Sequence, residues 1–351
     1  MSDKDQKFPI DLELEAPLKK VRYPGFDMDI LAMQLVTEAH VEDGKAVIRL
    51  RPISAPPEVR EELENQIAAV VREATGVQEI EVYSPEPPPA KKEEKGPRPI
   101  DGVKWVVPVA SGKGGVGKST VAVNLAMALS ALGLKVGILD LDLYGPSVPM
   151  MLGMTKAKPD AIGQQIAPVE AHGLKAMSVG FLIKADTALI WRGPLVMKAV
   201  RQLLHEVVWA PLDVLILDLP PGTGDVQISM AQEVPITGAV VVTTPQDVAL
   251  TDAIKGVDMF RQVSAPLLGI VENMSYFNCP DCGGRHEIFG HGSVEPLCAR
   301  LGVPYLGEIP LDPTLRKLAD LGQPREVLKI PAGEPYRVLA KKVLAQLESE
   351  D

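Results

Sequence analysis

The fold is decided by the stretch Ser111-Gly-Lys-Gly-Gly-Val-Gly-Lys-Ser-Thr120. From Gly112 to Ser119 it fits the pattern G-x-x-x-x-G-K-[ST], in which glycines let consecutive backbone N–H groups turn inward around phosphate oxygens. In such a loop the second lysine, Lys118, reaches the outer phosphates, and the hydroxyl of Ser119 is a ligand of Mg²⁺. A glycine-rich turn without a ligand is the competing interpretation. The stretch therefore predicts a phosphate-binding loop.

The segments on either side of the loop support this prediction. The apolar run Val103 to Ala110 is typical of a buried strand, and Val121 to Leu132 is typical of a helix. A strand that feeds a glycine-rich loop and then a helix is the setting in which the pattern binds phosphate. We expect one face of the helix to be apolar, formed by Val121, Leu125, Ala128 and Leu132.

Further apolar runs alternate with helical patterns along the rest of the chain. The runs that predict buried strands are Gly137 to Leu139, Val214 to Leu217, Ala239 to Val242 and Leu267 to Val271. Amphipathic helices lie between them, for example Asp247 to Val263. This alternation predicts an α/β fold with a doubly wound, mostly parallel sheet, whose ligand lies at the carboxyl ends of the strands.

Three aspartates stand where predicted strands end. Asp140 and Asp142 follow one strand, and Asp218 follows another. Magnesium on a nucleotide keeps several waters and needs only one or two carboxylates, so strand-end aspartates beside a phosphate loop suit it. Asp218 is the candidate Walker B carboxylate. Ordinary turn or capping residues are the alternative.

A proline-rich, charged stretch from Ser84 to Pro99 cannot bury a core and predicts an exposed linker. It divides the chain into a small α+β domain at residues 1–83, a linker at 84–101 and a P-loop domain at 102–351. In the small domain we expect a hairpin of Leu35 to His40 and Lys45 to Arg51 around the turn Asp43-Gly44. A helix from Pro57 to Thr75 and a strand containing Ile80 and Val82 follow.

Composition limits the classes of function. The chain has 351 residues with 46% hydrophobic and 4% aromatic content and a net charge of -10. Its acidity argues against binding nucleic acid by a general basic surface, and the few aromatic residues argue against base stacking. No apolar run is long enough to span a membrane and no apolar signal region opens the chain, so we expect a cytoplasmic protein without membrane contact.

Two of the three cysteines form the pair Cys279-Pro-Asp-Cys282. In a reducing compartment this spacing favours metal or redox chemistry. Two thiolates are half of what a [4Fe-4S] cluster normally requires, and a two-fold dimer brings two such pairs together. Structural zinc completed by His286 and His291 and a disulfide redox pair are the alternatives. Cys298, on a short helical pattern, is expected in the core.

The lysine at position 113 makes the loop similar to the deviant Walker A motif, K-G-G-x-G-K-[ST], of the class that includes MinD, ParA, the nitrogenase iron protein and the Mrp/ApbC iron-sulfur carriers. The resemblance implies that Lys113 contacts nucleotide in the opposite protomer of a dimer, with a solvated loop lysine as the alternative. It also implies that Asp142 orients the attacking water, that Asp140 supports Mg²⁺ and that Asp218 to Asp225 form switch II. Asn273 would then hydrogen-bond the adenine, with an Asx cap on its loop as the alternative. The residues expected to contact ATP are Gly112, Lys113, Gly114, Gly115, Val116, Gly117, Lys118, Ser119, Thr120 and Asn273.

Within that class the chain most resembles the Mrp/ApbC family. The segment from Glu272 to Gly290 is similar to that family's N-M-S-x-F-x-C-P-x-C-G followed by I-F-G, and Trp191-Arg-Gly-Pro194 and Gly307-Glu-Ile-Pro310 also match. The resemblance covers Gly102 to Asp351. Residues 18–83 resemble the small domain of iron-sulfur assembly factors. That domain often has a cysteine before its helix, and this chain has none, so docking or regulation is expected of it.

The resemblance implies a homodimeric ATPase that uses ATP and Mg²⁺, binds a labile [4Fe-4S] cluster between subunits and transfers it to apo iron-sulfur proteins, with upstream assembly scaffolds as further partners. A spatial organiser of the MinD or ParA kind is the rival, although the acidic end Leu344 to Asp351 does not fit its basic membrane helix. An ATP-driven electron donor of the nitrogenase type is a third possibility, which the close cysteine pair fits poorly.

Overall fold

The computed structural model describes residues 10–23, 29–33, 35–42, 44–51, 57–85, 96–143, 145–162, 165–181 and 193–349. The chain divides into two compact units, residues 1–95 and 96–351. Most of the predicted linker, the predicted turn residue Asp43 and the residues Trp191 and Arg192 lie outside the described residues. Within the described residues, no helix has the length and apolarity that a membrane crossing requires.

In its described residues, the smaller unit has a three-stranded sheet and two helices. Its elements are α1 (Leu12–Leu18), β1 (Val36–Glu42), β2 (Lys45–Leu50), α2 (Pro57–Thr75) and β3 (Glu79–Tyr83). β1 and β2 pair antiparallel, and β3 pairs parallel to β2. Leu63, Ile67 and Ile48 are fully buried in one core. The predicted hairpin strands, helix and third strand are confirmed, and Gly76 ends the helix with a φ of +71°.

In its described residues the larger unit has nine further α-helices and twelve further strands, four of which have only two residues. They are β4 (Val103–Ala110), α3 (Lys118–Ala131), β5 (Val136–Asp140), α4 (Val148–Met151), β6 (Ala161–Ile162), β7 (Gln165–Ile166), β8 (Val169–Ala171), β9 (Leu174–Ser178), α5 (Gly193–His205), β10 (Leu212–Asp218), α6 (Asp225–Ala231), β11 (Ala239–Thr243), α7 (Asp247–Gln262), β12 (Leu267–Glu272), β13 (Phe277–Asn278), β14 (Arg285–His286), α8 (Val294–Leu301), β15 (Tyr305–Glu308), α9 (Pro313–Asp320), α10 (Pro324–Val327) and α11 (Glu334–Ser349).

Eight strands form the central sheet in the order β15-β12-β11-β4-β10-β5-β9-β8. All neighbours are parallel except β8, which pairs antiparallel to β9 at one edge. Separate hydrophobic clusters cover the two faces, which is why the central strands are apolar along their length. The predicted doubly wound, mostly parallel sheet is confirmed. Because β10 and β11 flank β4 on opposite sides, the loop after β4 opens into the crevice where such folds bind ligands.

The helix that follows the loop differs from the expectation of a single apolar face. In α3 every residue from Val121 to Leu129 is buried, whereas Leu132, predicted on the apolar face, is 40% exposed. The prediction of a one-faced helix was wrong because α11 packs on the outer side of α3, which leaves α3 between the sheet and a second layer. The nearly uninterrupted apolar sequence of α3 fits this position.

Candidate functional site

The loop between β4 and α3 lies at the carboxyl edge of the sheet, and its glycines serve two purposes. Gly115 and Gly117 have φ values of +81° and +82°, a left-handed conformation that favours glycine. Gly112 lies against α7, where an added Cβ would come within 2.0 Å of the backbone oxygen of Asp252. No side chain caps the start of α3, so the N–H groups of its first turn are available to an anion.

Lys118 is the centre of a group of polar side chains at this edge. Its ammonium donates to Asp218 Oδ1 at 2.5 Å and to Ser119 Oγ at 3.2 Å, and lies 3.9 Å from Asp142 Oδ2. The side chain of Lys118 is only 6% exposed and that of Asp218 is fully buried. The structure thus brings together four of the residues that the sequence singled out.

Asp140 ends β5 beside Asp218, which ends β10, and the two are paired in the sheet register. The carboxylate of Asp140 accepts hydrogen bonds from the backbone N–H of Asp142 at 3.0 Å, the backbone N–H of Val148 at 3.2 Å and the hydroxyl of Ser178 at 3.1 Å. Burial, and then the charge of Asp218, raise the pKa of Asp140 to about 7. Burial also raises the pKa of Asp218, although Lys118 opposes this.

These oxygens fit a magnesium ion. Asp218 Oδ2 is buried and has no hydrogen-bond partner among the described residues. An orphaned buried carboxylate oxygen is costly unless a ligand satisfies it. Together with Ser119 and Asp140 it offers the hard oxygen donors that Mg²⁺ prefers, directly or through water.

Asn273 follows β12 and contacts the phosphate loop itself. Its side-chain amide donates to the backbone oxygen of Val116 at 2.8 Å, and its own backbone N–H donates to Thr243. Gly117 lies so close that an added Cβ would come within 2.2 Å of Asn273 Nδ2. Asn273 therefore braces the loop, and its contact with adenine stays a prediction.

Lys113 is half-buried, and its backbone oxygen accepts a hydrogen bond from Ser111 Oγ at 2.8 Å. Its ammonium has no hydrogen bond or ion pair to any residue in the described part of the chain. The cross-subunit role of Lys113 is therefore untested and stays a prediction.

The cysteine pair lies in a tight turn between β13 and β14. The backbone N–H of Cys279 donates to Gly284 and that of Gly283 donates back to Cys279. Cys279 is half-buried and Cys282 is exposed. Hydrogen bonds from the backbone N–H of Cys282, and then of Asp281, lower the pKa of the Cys279 thiol. Because the thiolate is the form that binds metal, this turn favours a metal ligand.

A single chain offers this turn only two thiols. Across the residues that the structure describes, no three His, Cys, Asp or Glu side chains converge to hold a metal ion. His291, one of the proposed zinc ligands, instead lies 3.9 Å from the carboxylate of Glu308. Cys298 is buried in α8, as predicted, and burial raises its pKa to about 11.

Two pairings in this region were not anticipated from the sequence. The guanidinium of Arg285 donates to both carboxylate oxygens of Glu308, at 2.9 Å each, and lies 3.9 Å from the centre of the Tyr276 ring. Ser178, which holds Asp140, was also missed. Its only signal was a polar residue at the end of the apolar strand β9.

Comparison with known proteins agrees with this geometry. A family model described as ParA: NUBPL iron-transfer P-loop NTPase matches residues 102–345. The chain is 49% identical over 291 residues to an iron-sulfur cluster carrier protein of Escherichia coli K12, covering 82% of this chain and 79% of that protein. It is 42% identical over 334 residues to an iron-sulfur cluster carrier protein of Deinococcus radiodurans, covering 94% and 93%.

Among solved structures, a nucleotide-binding protein of Archaeoglobus fulgidus in complex with ADP matches with a TM-score of 0.59 at 40% identity, covering 67% of this chain and 92% of that one. The region that the family model matches, residues 102–345, contains the phosphate loop, the strand-end carboxylates and the cysteine turn. The expected family resemblance is confirmed, and the chain belongs to the NUBPL iron-transfer family of ParA-type P-loop NTPases.

Proposed function

We propose that this protein is an ATP-hydrolysing carrier of iron-sulfur clusters, which holds a labile [4Fe-4S] cluster as cargo between two copies of the chain and passes it to apoproteins. The observation that carries this proposal is the Cys279 and Cys282 turn. It presents two accessible thiols, one with a lowered pKa, and no third ligand from the described residues joins them. Since such a cluster normally takes four thiolates, two copies complete one site.

A cluster at a seam between subunits, held by one half-buried and one exposed thiol of each chain, is easily released. Opening the seam removes two of its four ligands at once, so a change in dimer geometry weakens cluster binding strongly. The accessible position of Cys282 also lets a thiol of a recipient protein approach the cluster directly. We place the recipients among apo iron-sulfur proteins and the donors among assembly scaffolds, and the smaller unit is suited to docking them.

The carboxyl edge of the sheet performs the nucleotide chemistry in this proposal. The loop N–H groups and Lys118 bind the phosphates of ATP, and the phosphates compete with Asp218 for the same ammonium. Asp142, 3.9 Å from that ammonium, accepts a hydrogen bond from the attacking water and orients it. Ser119, Asp140 and Asp218 would hold Mg²⁺, which would supply charge neutralisation to the phosphates.

Lys113 gives ATP a means of controlling the dimer. Its ammonium has no partner among the described residues, and at this position it can reach a phosphate bound by a second copy. Dimer formation then depends on bound nucleotide, and the same dimer brings the two cysteine pairs together. Asn273 is proposed to contact the adenine in addition to bracing the loop.

Anaerobic reconstitution with iron and sulfide tests the carrier function. Wild type and the control Cys298→Ala are expected to gain the visible absorption of a [4Fe-4S] cluster, with about four irons per two chains. Cys279→Ala and Cys282→Ala are expected to lose this absorption, because each copy then contributes a single thiolate. If Cys279→Ala binds the same cluster as wild type, or if a monomer retains all the iron, the proposed cargo site is wrong. Zinc without iron in the purified protein would favour the structural-zinc alternative.

A further inference from the structure

One side chain of the turn that carries the two cysteines forms a two-pronged contact with the main sheet. Arg285 lies on β14, three residues after Cys282, whereas Glu308 ends β15 in the central sheet. The guanidinium donates through two nitrogens to the two oxygens of Glu308, at 2.9 Å each, and stacks over Tyr276 at 3.9 Å. A bidentate, stacked arginine fixes orientation as well as distance. The β13–β14 turn is therefore held at a defined angle to the sheet.

Glu308 is also part of a second, partly buried contact. Ser275 Oγ lies 2.7 Å from Glu272 Oε1 and 3.2 Å from Glu308 Oε2, so one hydroxyl bridges two carboxylates. Glu272 is only 1% exposed, and Tyr305 donates to its other oxygen at 3.3 Å. Two carboxylates this close repel each other unless a cation is near. Arg285 provides that cation, and its hydrogen bonds lower the pKa of Glu308.

The same short segment also contacts the phosphate loop. Asn273 donates to the backbone oxygen of Val116, and two residues later the backbone N–H of Ser275 donates to Ile309 at 3.0 Å. Between them Met274 has a φ of +55°, a left-handed conformation that non-glycine residues rarely adopt. The segment Asn273 to Tyr276 is therefore held at both ends, by the phosphate loop and by the base of the cysteine turn.

We propose that Arg285 is a positioning residue for the two metal-binding thiols, and that the segment Asn273 to Tyr276 links the turn it anchors to the phosphate loop. A nucleotide that shifts the loop at Val116 then changes the angle at which Cys279 and Cys282 are presented. The proposal deepens the carrier function and rests on it for the identity of the cargo. The link itself is a property of the protein without cargo, so it can be measured separately.

The test uses the full-length protein without iron or zinc, under reducing conditions. It is measured with and without a non-hydrolysable ATP analogue and Mg²⁺. The variants are Arg285→Gln, which removes the charge, and Arg285→Lys, which keeps the charge but not the two-pronged contact. Arg201→Gln is the matched control, because Arg201 also contacts both oxygens of a glutamate, Glu233, but on α5. Hydrogen exchange of residues 277–286 and alkylation rates at Cys282 are read by mass spectrometry, with buried Cys298 as the internal reference.

In wild type we expect the nucleotide analogue to change both exchange and alkylation in the turn. Arg285→Gln is expected to speed exchange there by about tenfold and to abolish the nucleotide response. The exchange rate and the nucleotide response of Arg285→Lys should lie between those of wild type and Arg285→Gln, and those of Arg201→Gln should match wild type. The lysine variant keeps the experiment informative if the glutamine variant does not fold.

Several results would overturn the proposal. The first is an unchanged exchange rate in both Arg285 variants, and the second is a full nucleotide response in Arg285→Gln. The third is an effect of Arg201→Gln as large as that of Arg285→Gln. The fourth is loss of nucleotide binding in Arg285→Gln, which would show that the residue acts on the phosphate loop. If exchange and alkylation in the wild-type turn do not change with the nucleotide, the link is also refuted. Cluster reconstitution would still decide the carrier function. Conversely, if cluster reconstitution fails but the turn still responds to the nucleotide, only the identity of the cargo is refuted.

Discussion

Replacing Lys118 by methionine should destabilise the larger unit strongly, and the loss should depend on pH. The ammonium lies 2.5 Å from Asp218 Oδ1, and both side chains are buried. Removing one partner of such a pair leaves an uncompensated buried charge, which costs about 3–5 kcal/mol of unfolding free energy. Methionine keeps the length and apolar stem of lysine, so packing changes little.

The pH dependence follows from Asp218. In the variant, burial and the charge of Asp142 still raise its pKa, and the opposing effect of Lys118 is gone. A carboxyl group whose folded pKa lies above its unfolded value adds stability below the unfolded pKa, and this is lost as pH rises through the folded pKa. The difference between wild type and Lys118→Met should therefore be small in mild acid and largest in mild alkali.

Urea unfolding followed by tryptophan fluorescence measures this difference in stability. The signal reports on the larger unit, because the three tryptophans, Trp105, Trp191 and Trp209, all lie within residues 96–351. Asp218→Asn and the double variant complete a thermodynamic cycle. The loss of unfolding free energy in the double variant should be about 1–3 kcal/mol smaller than the sum of the losses in the two single variants. Equal stability of wild type and Lys118→Met at alkaline pH, or additive single effects, would refute the reasoning.

Two further predictions use the same unfolding measurement. Gly112→Ala should cost about 1–3 kcal/mol of unfolding free energy, because its Cβ would meet the Asp252 backbone at 2.0 Å. Gly114→Ala, whose Cβ would have nothing within 4 Å, should be as stable as wild type. Equal stability of these two variants would contradict this. For Asp140, whose folded pKa of about 7 lies above its ordinary value of 3.8, the nucleotide-free protein should lose stability as pH rises between those values. Asp140→Asn should lose that part of the pH dependence, and identical pH profiles would count against the raised pKa.

The sequence predicts those parts of the fold that depend on local pattern. The strand Val103–Ala110 and the helix Pro57–Thr75 were predicted with the bounds that the structure shows, since apolar periodicity, glycine and proline mark them. The strand-end positions of Asp140 and Asp218 followed in the same way, because a carboxylate directly after a buried apolar run must lie at the edge of the sheet.

Contacts between distant elements could not be predicted in this way. The uniform burial of α3 depends on α11, which lies far along the chain. The amide of Asn273 meets a carbonyl 157 residues earlier, and Arg285 meets Glu308 across 23 residues. Each of these residues stood within a recognised motif. A single sequence shows that they are present, but their partners depend on strand order and on how the turn folds back.

Strand order also explains why the phosphate loop and the cysteines lie at one edge of one unit. β12 is separated from β4 by β11 alone, so the residue after β12 can reach the loop after β4, as Asn273 does. The chain then makes the β13–β14 excursion before α8 and returns through β15, the neighbour of β12. The excursion therefore begins and ends beside two carboxylates, the buried Glu272 and the partly exposed Glu308. A metal-binding turn inserted elsewhere, for example after β9, would lack both contacts. In the proposed mechanism, the position of the insertion, more than the pair of thiols, is what would allow ATP to act on the cargo.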